Sequence, residues 1–516
     1  MVSMRGQRPW RLPMNTASTE HSGSKHERRV PPAGDGLVPS LSLFTTTMIV
    51  VGGVIGSGIF RKPGVMASEV GSPELLLLVW LVAGVLTLFG ALTNAEIAAL
   101  IPETGGQYVY FERIYGPFVA YLYGWASFVV IQTASVTAVA YVFAEYATEF
   151  VKLPEFSGPI AAFTIHLPFI GDITPFKEIG IKGLAALLII ALTAINCIGV
   201  KLGGAVQNIF TAAKVTAMVL LVLGAFLLPT GGKFGNLVAN SHSIHRDGLA
   251  LWASFAAALQ GAFWAYDGWS KVTYIAGEVK NPQHNIPRSL LLGMAIVTAL
   301  YLLMNVAYAF VLPIDEVAGS KLVAADVAEK CFRGGGRWIA VAVMMSTLGA
   351  ANATILASPR VYFSMARRNV FPAALGVAHP RFRTPAASLI AQGVWGVLLL
   401  FSGTFDTLTD TLVFVSWIFY AASAWSVFEL RRTQPDSPRP YRVPGYPVVP
   451  ALFIMFAALY LAFTIYNDVA GYRAAVAAGK PAIINSAFGA FLVLIGTPIY
   501  FWYRNKPRTA SPRVGD

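Results

Sequence analysis

Apolar runs of about 20 residues, each long enough to carry a helix through a lipid bilayer, recur roughly twelve times along this chain. They fall near residues 41–69, 74–100, 117–147, 181–199, 204–229, 250–276, 289–312, 337–363, 386–402, 409–430, 447–466 and 483–503. Inside lipid every backbone N–H and C=O needs a partner, which restricts spanning segments to helices or closed barrels. The runs are too long for barrel strands, so the chain reads as an all-α integral membrane protein. Charged residues make up only 12% of it, against about 25% in soluble domains. Residues 1–39 are polar and basic, lack the apolar core of a signal peptide, and read as a disordered cytoplasmic tail.

The net charge of +12 does not imply a nucleic-acid partner. With twelve spans and both termini in the cytoplasm, Lys and Arg concentrate on the cytoplasmic side. They lie in the N-terminal tail and at Arg367, Arg368, Arg381, Arg383, Arg431, Arg432, Arg439, Arg442 and Arg504. That bias follows the positive-inside rule and predicts an inner or plasma membrane. The two cysteines, Cys197 late in the fourth run and Cys331 in an outer loop, fall on opposite sides and cannot pair. An exposed Cys331 is the one formal candidate for a disulfide to a partner chain.

Two of the runs cannot be unbroken helices. The first holds Gly52, Gly53, Gly56, Gly58 and Gly64, with Pro63 among them, and each glycine costs roughly 1 kcal/mol against alanine in a helix. The sixth contains Gly261-Ala-Phe-Trp-Ala-Tyr-Asp-Gly-Trp269, with Asp267 beside Gly268 at mid-span, where a charge is expensive. These runs open two groups of five spans, at about 40–230 and 250–430. An odd number of spans inverts the second group relative to the first. Broken helices at corresponding positions of two inverted halves mark the binding site of a secondary transporter. A linker (431–446), two further spans (447–503) and a C-terminal tail (504–516) fall outside the repeat.

The chemistry of the breaks is specific. The second half of the first span should start near Ile59. Its free amides carry the positive end of a helix dipole and can hold a carboxylate without a charged side chain. Gly56 and Gly58 admit a ligand to the backbone, and Ser57 adds a hydroxyl. Unwound carbonyls near Val54 and Trp264 can accept bonds from an ammonium. Donors on one side and acceptors on the other suit an α-amino acid. Close helix packing alone would explain the glycines but not the matching second break.

Trp264 reads as an aromatic gate, with Tyr266 and Trp269 as lesser candidates and plain packing as the alternative. Asp267 either helps select cationic substrates or caps the half-helix that follows it. Gln207, Thr211 and Lys214 share one helix face. Lys214 lies about 15 Å into its span, too deep for easy snorkelling. Its amine could replace a sodium ion at the unwound first span, or carry protons. Glu96 and Asn94, near the inner end of the second run, read as interfacial or hydrogen-bonded. The histidines lack metal-ligand spacing, and no phosphate loop or nucleophile elbow occurs. No cofactor, metal or enzymatic activity is therefore expected.

Several segments resemble the amino acid–polyamine–organocation transporters. They are Gly-Ser-Gly-Ile-Phe (56–60), Pro-Glu-Thr-Gly-Gly-Gln-Tyr (102–108), Trp-Ala-Tyr-Asp-Gly-Trp (264–269), Glu-Val-Lys-Asn-Pro (278–282), Ile-Pro-Arg (286–288) and Arg-Pro-Tyr-Arg-Val-Pro-Gly-Tyr-Pro (439–447). Within that superfamily the chain is most similar to the L-type amino acid transporter branch, and the motifs are spread from about residue 40 to 450. The resemblance implies the leucine-transporter fold, five plus five inverted helices and two more. It implies that Gly56, Ser57 and Gly58 hold a substrate carboxylate, and that carbonyls of Val54, Trp264 and Asp267 hold its amino group. It places the gate on Trp264 and the branch's fifth-span lysine on Lys214, which goes with sodium-independent transport. Asp267 opens the range to cationic as well as neutral amino acids. Animal members carry a cysteine between the third and fourth spans that links them to a heavy chain; here 148–180 has none, so no disulfide-linked heavy chain is expected. The expectation is a sodium-independent amino acid exchanger or facilitator working by alternating access. A proton-coupled symporter is the near alternative and a non-transporting membrane receptor the far one.

Overall fold

The computed structural model describes residues 37–160, 163–167, 171–401, 405–478 and 484–505. Most of the expected N-terminal tail (1–36) and of the C-terminal tail (506–516) lies outside them. Among the described residues, eleven helices are long and apolar enough to cross a membrane. The ninth run forms a shorter apolar helix, Ala386–Leu400. At 15 residues it is about 22 Å long. It packs on the third span, where Gly396 O accepts from Thr137 Oγ1 at 3.0 Å. The described non-helical structure includes a two-stranded antiparallel ribbon, Ile165–Leu167 with Gly171–Ile173.

Local chemistry sets where the spans begin and end. Ser42 caps the first, its Oγ accepting from Thr45 N at 3.3 Å. Gly71, at φ 61°, closes that span in the left-handed conformation. Ser72 and Pro73 then start the second span at once, with Ser72 Oγ accepting from Leu75 N at 3.3 Å. The third span, Pro117–Ala147, contains a π-helical segment at Ser127–Ile131, which apolar periodicity does not reveal.

The spans pack in register with the repeat. The first (Leu43–Val70) lies against the sixth (Gly248–Glu278), and the second (Pro73–Leu100) against the seventh (Pro282–Val311). The third lies against the eighth (Gly335–Arg367), and the fourth (Ile179–Ile198) against Ala386–Leu400. Each of these spans therefore contacts its counterpart five places on. The fifth (Val200–Leu227) packs on the first and eighth.

Both ends of this bundle are tied. On the side where the first span starts, Ser40 N and Leu41 N donate to Glu278 O at 2.9 Å each, and Lys280 N returns a bond to Leu41 O. Glu278 forms a fully buried, two-pronged ion pair with Arg360 at 2.7 and 3.1 Å. Gly105 N donates to Tyr274 O, and Ser364 Oγ to Thr104 O. The motif residues 102–108 and 278–282 thus converge on one closure. On the opposite side Arg61 pairs with Glu145. There a Cβ at Gly64 would meet Ser320 O at 2.2 Å, so the 314–320 segment sits directly on the first span.

Of the two readings of Glu96, the structure shows the hydrogen-bonded one. The residue is 1% exposed and accepts two bonds from Arg431, at 2.9 and 2.7 Å, and one from Val443 N at 2.7 Å. Arg439 Nε lies 3.3 Å away. A buried carboxylate needs such partners, and here they fasten the 431–446 linker to the second span. Cys331 ends the helix Val323–Cys331 and is buried. Its place is a helix rather than the expected loop, and the exposure that a disulfide to a partner chain would need is not there.

Candidate functional site

The first span is two helices, Leu43–Val54 and Gly58–Val70, parted at Ile55, Gly56 and Ser57. The second half begins one residue before the expected Ile59. The amides of Gly58 and Ile59 open it, and the first amides of any helix lack intrahelical partners; Phe60 N and Arg61 N donate to Ser57 O. Ser57 Oγ is buried and has no partner among the described residues. The glycines divide the work. A Cβ on Gly58 would strike Ala265 Cα at 2.5 Å, so that glycine lets the sixth span approach. A Cβ on Gly56 would find its nearest neighbour, Ala350 Cβ, only at 3.6 Å.

Lys214 fills the other side of this break. It is 1% exposed, and its Nζ donates to Gly52 O at 2.9 Å, to Ile55 O, and to Ser346 O at 3.0 Å. Ser346 Oγ adds bonds to Ile55 O and Gly56 O at 3.2 and 3.1 Å. Gln207 and Thr211 share its buried face as periodicity predicts: Thr211 Oγ1 donates to Met48 O, and Gln207 Oε1 accepts from Asn352 Nδ2. A lysine nitrogen donating to three carbonyls fills the place that carbonyls of a broken helix can offer a monovalent cation.

The sixth span is helical through Gly248–Tyr266 and resumes as a tighter helix at Trp269–Glu278. Gly268 bridges them at φ 104°, and a Cβ there would lie 2.5 Å from Gly53 O. Left-handed geometry and close approach both demand glycine here. Asp267 does not cap the second half. Its Oδ1 accepts from Tyr420 OH at 2.7 Å, and its Oδ2 lies 3.9 Å from Lys271 Nζ. The Val54 and Ala265 carbonyls share Tyr301 OH, at 3.2 and 2.9 Å.

Between the breaks lies a small cavity of ≈ 20 Å³, room for about one water. Val54, Gly56, Ser57, Gly58, Trp264 and Asp267 line it, joined by Ser135, Ala350, Thr354 and Lys271. All six candidate ligand-contacting positions therefore meet at one point. Tyr266 and Trp269 turn elsewhere: Tyr266 OH bonds Trp80 O at 3.2 Å, and Trp269 packs on Tyr420 at 5.1 Å between ring centres. Lys271, Tyr420, Tyr301, Ser346 and Thr354 escaped the sequence reading. Their roles depend on partners in other spans, and Lys271 alone carried a signal, a second lysine inside a span. A larger groove of ≈ 590 Å³, between Trp125, Phe371 and Trp502, is apolar and open; it holds none of this polar chemistry.

A fold with paired broken helices around a small polar cavity defines a secondary transporter. The family profile described as amino acid permease matches residues 41–497, and the chain belongs to that family, with its leucine-transporter fold. It is similar to the human b(0,+)-type amino acid transporter 1, with 32% identity over 429 residues, 83% of each chain. It is also 31% identical to the serine/threonine exchanger SteT of Bacillus subtilis, covering 92% of this chain and 99% of that one. The human large neutral amino acids transporter small subunit 2 is 29% identical over 96% of this chain and 88% of its own. The protein is a multi-pass membrane protein that transports amino acids.

Proposed function

We propose that the protein is a sodium-independent amino acid carrier, an exchanger or facilitator, that works by alternating access across an inner or plasma membrane with both termini cytoplasmic. One observation carries this reading. Lys214 occupies the carbonyl cage of Gly52, Ile55 and Ser346, so a fixed lysine nitrogen fills the place that a sodium ion would otherwise take. The substrate carboxylate meets the amides of Gly58 and Ile59 with the Ser57 hydroxyl, close to Gly56. The ammonium meets the carbonyls of Val54, Trp264 and Asp267. Trp264 closes the cavity as a gate. In this reading the repeats run over 40–230 and 250–430, with the two last spans outside them.

Alternating access is supported by the ties at both ends of the bundle and by a cavity too small for an amino acid, well below the roughly 300–1,000 Å³ of small-molecule sites. Exchange is supported by the relative that is named an exchanger. A stand-alone carrier is supported by the cysteine-free 148–180 loop and the burial of Cys331. Purified protein in liposomes preloaded with unlabelled amino acids tests the reading. Labelled amino acid should enter by counterflow with sodium replaced by choline. No counterflow for any amino acid, at acidic or neutral pH, would refute it, and a strict sodium requirement would remove the role of Lys214. Accumulation driven by a proton gradient would favour the symporter instead.

A further inference from the structure

Asp267 taken alone would mark the pocket as one for cationic side chains. The structure places a second charge beside it. Lys271 follows four residues later on the tight helix Trp269–Glu278 and faces the same cavity. Its Nζ donates to Thr354 Oγ1 of the eighth span at 2.8 Å and lies 3.5 Å from Ser135 Oγ of the third. It lies 3.9 Å from Asp267 Oδ2, with the two side chains 3% and 8% exposed. The other Asp267 oxygen accepts from Tyr420 OH. Among the described residues lining the cavity, Asp267 and Lys271 are the charged pair.

We propose that Lys271 is the specificity-determining residue of the pocket: it cancels Asp267, excludes amino acids with a cationic side chain, and limits the substrates to small neutral amino acids. This inference rests on the transport reading above. The charge argument does not depend on which partner holds the proton, because a carboxylate with an ammonium and a carboxylic acid with an amine both sum to zero. A substrate guanidinium or ammonium would therefore enter a site of zero net charge. It would leave its own charge uncompensated in a small, poorly solvated space, and it would sit against Lys271. A zwitterionic substrate needs no such compensation, since the first-span amides and the freed carbonyls meet its two charges. Size acts in the same direction. The four-carbon Lys271 stem reaches across to Ser135 and Thr354 and takes up the volume where a long substrate side chain would extend.

The test is competition against uptake of labelled alanine into proteoliposomes containing the full chain. Serine and alanine should compete with wild-type protein, while arginine, lysine and ornithine should not, differing by at least about tenfold in inhibitory concentration. Lys271→Met should admit the cationic amino acids and narrow that gap by about tenfold. Lys271→Arg should keep them out. Asp267→Asn added to Lys271→Met should exclude them again. Wild-type protein that takes up arginine as readily as alanine overturns the proposal without any variant. So does a Lys271→Met protein that transports alanine and still rejects arginine. If Lys271→Met fails to fold, Lys271→Gln provides the same charge removal, and ligand-induced thermal shifts of the detergent-purified wild type by alanine against arginine give a second readout. Failure of every amino acid to be taken up would sink the transport reading and this one with it, an outcome distinct from loss of selectivity.

Discussion

In the first span the freed carbonyls of Gly52 and Ile55 are met by an amine from another helix, whereas the sixth span carries charges of its own at its break. The first break has no ionisable side chain at Ile55, Gly56 or Ser57. It leaves helix-end amides toward the cavity and hands its carbonyls to Lys214. The second break is filled by side chains: Asp267 engaged by Tyr420 and near Lys271, with Lys271 bonded to Thr354. Backbone opened at mid-membrane must be satisfied somewhere, and the two spans show two solutions. In the proposed reading the bare break meets the substrate carboxylate, while the furnished break offers carbonyls to the ammonium and side chains to the part of the amino acid that varies.

That contrast can be broken in order of expected effect. Gly58→Ala should be the most damaging, because its Cβ lies 2.5 Å from Ala265 Cα and backbone cannot yield as a side-chain tip can. Overpacking of this kind costs about 1–3 kcal/mol or more, so we expect loss of transport and a lower midpoint in thermal unfolding in detergent. A variant with wild-type stability and uptake would show that the two spans are not held at this contact.

Lys214→Ala comes next. It strips a lysine nitrogen from three carbonyls, and each buried group left unpaired costs about 1–3 kcal/mol. Transport should fall by more than about tenfold, the rate equivalent of 1.4 kcal/mol. An unaffected rate with unchanged ion dependence would refute the coupling role.

Trp264→Ala removes the aromatic wall of the cavity and should raise KM or cut uptake about fivefold through lost closure. Wild-type kinetics would assign Trp264 to packing. The smallest effect is expected from Tyr420→Phe, which deletes one hydrogen bond to Asp267 and leaves Lys271 beside its other oxygen. Its KM for neutral amino acids should change by about two- to threefold. A collapse of uptake would mean that Asp267 holds the break itself together rather than lining the side-chain end of the pocket.

Much of this was legible in the chain. The runs near 41–69 and 250–276 become the first and sixth spans, both broken where glycine gathers, because helix cost and lipid depth are properties of a segment by itself. Lys214 was legible as an inward residue, since Gln207, Thr211 and Lys214 share a face and all three are buried. The partners of these residues were not legible. Asp267 looked free to cap a helix because Tyr420, which bonds it, is 153 residues away. Glu96 could be read as hydrogen-bonded but not assigned a partner, because Arg431 lies 335 residues on. The π-helical segment at Ser127–Ile131 left no mark in an apolar run, because hydropathy does not record hydrogen-bond register.

By itself the sequence determined eleven of the twelve spans, the place of the two breaks along them and the inward face of Lys214. All three follow from local energies: apolar length against bilayer thickness, glycine against helix, charge against lipid. Only the tertiary structure decided that Gly58, besides lining the cavity, lets Ala265 approach, that Lys214 reaches Ile55 across 159 residues, and that Lys271 stands beside Asp267. Those outcomes depend on how closely separate helices approach, and a few tenths of an ångström there decide whether a side chain, a backbone or a substrate fits between them.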